Sequence, residues 1–544
     1  MGASHDIEFE KLVESFNRFM LKSNPVSSTF LGEHEFDQDF RDYSPSGLKK
    51  TGEKLGAFKK NFKAVNKRLL NIENKVDLEL ILGKIEVDSL FLTKYSLHEL
   101  NPNLYLQELL YGIYILITRD FDTARERAVS ITRRLMQVGI TLKNAKKHLK
   151  SPPKVFVESS VTTCQGAVSF FNSVIPEFSK GITGALHDAL TEANEEAIAE
   201  LEKFGEYLEK KLLPKCKKHF AFGKTNYNFI LKHQHRLPYS SDDLISISQK
   251  AIKSIEASLK KQAKMIDKKK GWQEIVEEIK EDHPSSQALI GAYKREMKRA
   301  RDFVEALDLV TFPEGEEIDV VQTPDFAKPL IPYAAYVNPA PFDQSQVGTF
   351  WVTTTFGLSQ DEANERLKGH ANAGLAVTAL HEAYPGHHLQ LTKANQNKRL
   401  IRHLADTSVF AEGWAFYCEE MMWEQRFYDD PKQRLLQLKD ALWRAYRVLI
   451  DVGLHAKTIS FDEAVKMLVD KAGLEEPNAF TEVLRYCQSP TQPMSYYIGK
   501  IEIDSLLEDY KKAKGNDFKL KTFHNELLSH GTIPVSSIRN LMGL

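Results

Sequence analysis

The chain has 544 residues, 42% hydrophobic and 27% charged, enough apolar material for sizeable cores under a hydrated surface. Its 73 Lys and Arg offset 74 Asp and Glu, so no global field favours nucleic acid or an anionic membrane as a partner. With no eighteen-residue apolar run, no basic and apolar leader, and Cys164, Cys216, Cys418 and Cys487 far apart, no membrane span, secretory signal or disulfide framework is expected, and the cytoplasm is the default setting.

Helical periodicity dominates the first 310 residues, with long amphipathic helices expected over 76–95, 122–148, 186–213 and 242–270. Basic runs such as Lys268-Lys-Lys read as solvated helix faces. The pattern changes at Leu307-Asp-Leu-Val-Thr-Phe-Pro-Glu. Beyond it, Ile318-Asp-Val-Val-Gln-Thr and Val347-Gly-Thr-Phe-Trp-Val-Thr-Thr are β-branched candidate strands on either side of a Pro-rich connection, 329–341. From Glu362 the chain is helical again. These shifts suggest an N-terminal helical lobe (1–310) and a C-terminal half (311–544). That half is divided into a small sheet (316–356), helices over 373–396 and 406–426, and further helices over 434–544. Together they read as one continuous structural unit, mainly α. Neither a repeat nor a low-complexity tail occurs.

The chemistry concentrates in two short segments, His381-Glu382-Ala-Tyr-Pro-Gly-His387-His388-Leu-Gln and Phe410-Ala-Glu412-Gly-Trp. Imidazoles and carboxylates on apolar helices are how a catalytic zinc site is built, from three protein ligands and a water. In the motif H-E-x-x-H, two histidines four apart share a helical face while the Glu faces the metal-bound water. Here Pro385 occupies the fourth position, and His387 and His388 lie about 9 and 10.5 Å along an ideal helix from His381, too far to share an ion. Pro385 and Gly386 offer a way out by forcing a kink or bulge. Excising Tyr384 and Pro385 restores the ordinary spacing, which makes His387 the second ligand and His388 the alternate.

Glu412 is the expected third ligand. Phe410, Trp414, Tyr417 and Met421 form the packed stripe of its helix, and a carboxylate among apolar residues needs a cation or a strong donor. An arginine partner would satisfy it as well. Gly413 opens space there for substrate or a facing helix. Val347 to Thr355 is read as an edge strand for a peptide backbone, with Trp351 packing inward, or as a purely structural sheet. Arg444, Arg447, Arg485 and Lys500 are candidates to hold a peptide's terminal carboxylate, Arg485 foremost. Arg447, Asp451 and His455 share a helical face and equally suit a salt-bridged ladder.

These segments resemble the family known as domain of unknown function 885, which carries His-Glu-Ala-x-Pro-Gly-His-His-Leu-Gln and Glu-Gly-Trp-Ala. The resemblance extends to Ala335-Tyr-Val-Asn-Pro-Ala-Pro-Phe342, Leu436-Gln-Leu-Lys-Asp-Ala-Leu-Trp-Arg-Ala445, Arg485-Tyr486 and Tyr496-Tyr-Ile-Gly-Lys500, and covers the chain from about Phe9. The family in turn resembles helical zinc peptidases such as carboxypeptidase Taq, thimet oligopeptidase and angiotensin-converting enzyme, from which the two-residue insertion is a departure. The resemblance implies a bilobal, mostly helical metallopeptidase-like fold with a cleft between lobe and catalytic half, and a Tyr-x-x-Gly that makes Tyr496, or next to it Tyr497, the oxyanion donor. Glu382 then serves as general base toward metal-activated water, with one zinc ion per chain. The expected activity is a carboxypeptidase or oligopeptidase acting on short peptides. The alternatives are a zinc hydrolase of a non-peptide or modified amide, and a non-catalytic binding module of the same fold. The sequence carries no indication of oligomeric state.

Overall fold

The computed structural model describes residues 2–544 apart from 325–327, 329, 330, 332 and 406. Pro329 and Pro332 of the expected Pro-rich connection, and Asp406 at the start of an expected helix, therefore lie outside the described residues. The fold is mainly helical, as the periodicity implies. Two compact units divide the chain: residues 1–220 with 342–344, and residues 221–341 with 345–544. The helices between 221 and 310, grouped by pattern with the N-terminal lobe, pack in the second unit.

The first unit is built of helices, the longest being Lys154–Ser179, Gly2–Ser23 and Ala185–Glu206. The expected helix over 122–148 is two, Ala124–Leu135 and Val138–His148. At the break, the Gln137 amide donates to the Gln38 carbonyl and accepts from the Phe40 N–H. Periodicity alone misses such a break, because the apolar stripe resumes at once.

The second unit carries the elements that matter for the site, labelled here as they occur: α1 (Ser241–Ile266), α2 (Leu289–Ala306), β1 (Glu317–Gln322), β2 (Ala334–Val337), β3 (Val347–Val352), α3 (Asn372–Glu382), α4 (His387–Asn395), α5 (Ser408–Glu424), α6 (Pro431–Ala456), α7 (Glu476–Gln488) and α8 (Ser495–Lys514). Their starts are readable: Ser240 and Asp243 form a capping box on α1, and Asp430 caps α6 ahead of Pro431. Helix α6 packs along α1, α5 along α8, and α3 against α2, α5 and α6.

The small sheet corrects one expectation. Its order is β1–β3–β2, with β3 parallel to β1 and antiparallel to β2. The strand proposed as a docking edge is thus the central one, hydrogen-bonded on both sides, and it has no free edge for a peptide. Trp351 lies buried on it, opposite Val321 and Ala335. Strand β2 was hidden in the Pro-rich stretch, where prolines normally demote a strand.

Candidate metal centre

The first motif is not one bulged helix. Helix α3 ends at Glu382, Ala383 leaves the helical region at φ −114°, ψ −84°, and α4 begins at His387. The turn closes with the Gly386 N–H on the Leu380 carbonyl at 3.0 Å. A Cβ on Gly386 would lie 1.9 Å from the His381 carbonyl oxygen, so close approach of backbone requires a glycine here. The expected single helix over 373–396 is corrected accordingly: proline breaks it, and the turn folds His387 back toward His381.

The second motif locks that turn. The Trp414 indole N–H donates to the Pro385 carbonyl at 2.8 Å. Gly413, next to Trp414 on α5, faces Gly499 of α8: a Cβ on Gly413 would lie 2.4 Å from the Gly499 carbonyl carbon, and one on Gly499 1.9 Å from the Val409 oxygen. Two glycines let the helices touch, and Tyr496 on α8 thereby reaches Glu412 on α5.

His381, His387 and Glu412 each offer a ligand atom, all within 4.8 Å of one another. Glu412 Oε2 lies 3.2 Å from His387 Nε2 and 4.0 Å from His381 Nε2. Ligand atoms on a tetrahedral zinc are about 3.3–3.5 Å apart, so a small inward shift of His381 would satisfy an ion. Oε2 is also buried without a hydrogen-bond donor, the condition a cation relieves. Burial would raise the Glu412 carboxyl, but His387, His381 and Tyr496 overcome it and hold it at about 2. Burial would lower His387, yet Glu412 and Glu382 hold its imidazole above the usual value.

His381 is oriented by a residue that the sequence reading overlooked. Its Nδ1 pairs with Glu419 Oε1 at 2.8 Å, which turns Nε2 toward Glu412. Glu412 and Glu419 are seven residues apart, two helical turns on one face, so one imidazole spans both carboxylates. That spacing was the available signal. Glu419 also accepts from Arg444 Nη2 at 2.9 Å. A carboxylate behind a histidine ligand fixes its tautomer and raises its basicity.

His388, the alternate ligand, is engaged elsewhere. Its Nδ1 pairs with the Tyr336 hydroxyl and its Nε2 with Glu316 Oε2, each at 2.8 Å, and the ring is fully buried. Glu316 also accepts from Tyr384 and Arg301. Gly348 makes room for this, because a Cβ there would lie 2.6 Å from both His388 Nδ1 and the Tyr336 hydroxyl. Both ring nitrogens are spent on tying α4 to the sheet.

Glu382 is half-buried and accepts no hydrogen bond from any described residue. Tyr496 lies within hydrogen-bonding reach of Glu412, and its ring stacks on His381 at 6.5 Å between centroids. Burial and the Glu412 charge push its hydroxyl up to about 12. Tyr497 faces away, against Phe416. Lys500 pairs with Asp504 at 2.6 Å. Arg485 is tied to Gln492 and Glu482 at 2.5 and 2.8 Å. Arg447 lies 4.6 Å from the Tyr496 ring centre and bonds Tyr486 and Glu482. Of the ladder weighed for this face, the Asp451–His455 rung is present at 3.7 Å, while Asp451 also accepts from Tyr227 and the Thr491 N–H and Arg447 turns to Glu482. His455 is buried between the Phe222 N–H and the Tyr486 carbonyl.

The chain is thus helical, with two histidines and a carboxylate from three helices converging on one point. The chain itself belongs to the family described as bacterial protein of unknown function (DUF885), which matches residues 25–542. In fold it is similar to a putative lipoprotein of unknown function from Shewanella oneidensis, with 22% identity, a TM-score of 0.83 and coverage of 98% of this chain and 100% of that one. A putative lipoprotein from Colwellia psychrerythraea is similar at 19% identity and TM-score 0.82, covering 99% of both chains. No curated protein matches the chain.

Proposed function

We propose that this protein is a zinc-dependent hydrolase that cleaves peptide bonds of short peptides, of carboxypeptidase or oligopeptidase type. The observation that carries the reading is Glu412 Oε2, buried without a donor and facing two imidazole nitrogens. His381, His387 and Glu412 would hold one zinc ion, which would act as a Lewis acid and lower the pKa of a bound water. The chain's own groups divide the remaining work. Glu382, beside the first ligand and free of protein donors, takes and returns the proton. Tyr496 donates to the developing oxyanion. Arg447, packed on the Tyr496 ring, and Arg485 both share Glu482, and either would exchange that partner for a substrate carboxylate.

Elemental analysis of wild type beside Glu412→Ala, His387→Ala and His388→Ala tests the metal. About one zinc per chain is expected, lost in Glu412→Ala and His387→Ala and kept in His388→Ala. Glu382→Gln should keep zinc and lose peptide hydrolysis. A wild type that takes up no zinc sinks the reading.

Cellular placement belongs to the proposal too. No helix of the described residues is long and apolar enough to cross a membrane. The two solved neighbours named above are described as putative lipoproteins, which weighs against the cytoplasmic expectation. Fractionation of the producing cells decides between cytosol and envelope.

A further inference from the structure

Thr491 holds φ +73°, in the left-handed region that a β-branched residue rarely enters. Such a conformation persists only where its surroundings fix it. Here they do. Its N–H donates to the buried Asp451 carboxylate at 3.1 and 3.3 Å, and its hydroxyl meets His235 Nε2 at 3.0 Å. The other nitrogen of that buried imidazole meets the Thr407 hydroxyl at 2.7 Å. Thr407 caps α5, accepting from the Val409 N–H, and Glu412 follows one turn later. One histidine therefore bridges the start of the Glu412 helix and the loop before α8.

The next residue in that loop is Gln492. Its Oε1 accepts from Arg485 Nη1 at 2.5 Å, which fixes the amide so that Nε2 points the other way. Nε2 lies 3.5 Å from Glu412 Oε1. One carboxylate oxygen thus meets an oriented amide while the other faces the imidazoles.

We propose that Gln492 and Thr491 are positioning residues for Glu412 as a metal ligand: Gln492 holds Oε1 so that Oε2 is aimed at the ion, and the His235 bridge keeps loop and helix in register. The proposal rests on the zinc reading above.

The test is zinc affinity, by competition with a fluorescent chelator, and the melting temperature of the metal-free protein, for Gln492→Met, Thr491→Gly and Glu412→Ala beside wild type. Gln492→Met keeps the side chain's bulk and should weaken zinc binding roughly 10–100-fold, with the metal-free melting temperature lowered by less than about 4 °C because the partly exposed Arg485 takes water where Oε1 was. Thr491→Gly relieves the backbone and cuts the bond to His235. It should melt no lower than wild type while binding zinc several-fold more weakly. A Gln492→Met protein that binds zinc like wild type, beside a Glu412→Ala that has lost it, overturns this proposal and leaves the zinc reading standing. Thr491→Gly losing stability and affinity together also overturns it. A wild type that binds no zinc overturns both.

Discussion

Each unit holds an arginine whose nitrogens are largely shielded from solvent, and the two are treated in opposite ways. Arg134, fully buried in the first unit, uses its whole guanidinium: Nε on the Asp39 carbonyl, Nη1 on the Gly112 carbonyl and Nη2 on the Thr29 hydroxyl. Arg444 in the second unit gives Nη2 to Glu419, packs over the Phe416 ring, and has Nε and Nη1 buried without a hydrogen bond. Glu419 Oε2 and Glu412 Oε2 are buried and undonated nearby. Buried polar groups are ordinarily satisfied, and a charge with every donor used has nothing left for a ligand. The contrast separates a cation that holds a fold together from one in a place kept electrostatically open.

The largest expected effect tests the closed side. Arg134→Met leaves two carbonyls and Thr29 without their donor and should cost about 3–5 kcal/mol, with zinc affinity unchanged. All five tryptophans belong to the second unit, so a probe within the first is needed. Hydrogen exchange around residues 29–43 is the suitable probe. Loss of zinc binding in Arg134→Met would erase the distinction between the two arginines.

Glu419→Gln tests the open side. Gln can still reach His381 Nδ1 but carries no charge, so the imidazole becomes a weaker base. Zinc affinity should fall roughly 10–100-fold, with little change in the chelator-treated protein's stability. Unchanged affinity would mean that His381 is oriented by packing alone.

A smaller effect comes from the first unit's own histidine–carboxylate cluster. Burial would lower His34, but hydrogen bonds to Asp343 and Asp37 raise it from 6.5 to about 9. Its protonated form therefore stabilises the fold fully below about pH 6.5, and that contribution is lost as pH rises through about 9. Because the ring is partly exposed, the difference should be only about 1–2 kcal/mol between pH 6 and 9.5. It should vanish in His34→Asn, with exchange of the 29–43 backbone as the readout. A pH dependence that survives the substitution assigns it to another group.

Much of the site was legible because its chemistry is local. The spacing of His381 and His387 required a break, and Pro385-Gly386 supplied one. The helical stripe around Glu412 isolated it as a buried charge. What the sequence could not specify depends on partners far along the chain. Glu316, 72 residues before His388, decides that this histidine is structural. Whether β3 lies at an edge depends on which strands flank it, although its apolar run from Phe350 to Val352 is what a strand covered on both faces needs. Gln492 and His235 carry no motif, and only the folded chain brings them beside Glu412 and Thr407.

The smallest expected effect lies between neighbours. Tyr496 and Tyr497 are adjacent on α8, and adjacent residues point about 100° apart on a helix. Tyr496 meets Glu412 and His381, whereas Tyr497 packs on Phe416 and feels Asp504 and Glu420. Tyr497→Phe removes a hydroxyl that faces no ligand atom, so zinc affinity and peptide turnover should stay within about threefold and stability within about 0.5 kcal/mol. Tyr496→Phe is the control, expected to slow turnover about 10²–10³-fold with zinc still bound. If Tyr497→Phe is the slower of the two, the oxyanion donor lies on the other face of α8, and the contact through Gly413 and Gly499 serves packing instead of chemistry.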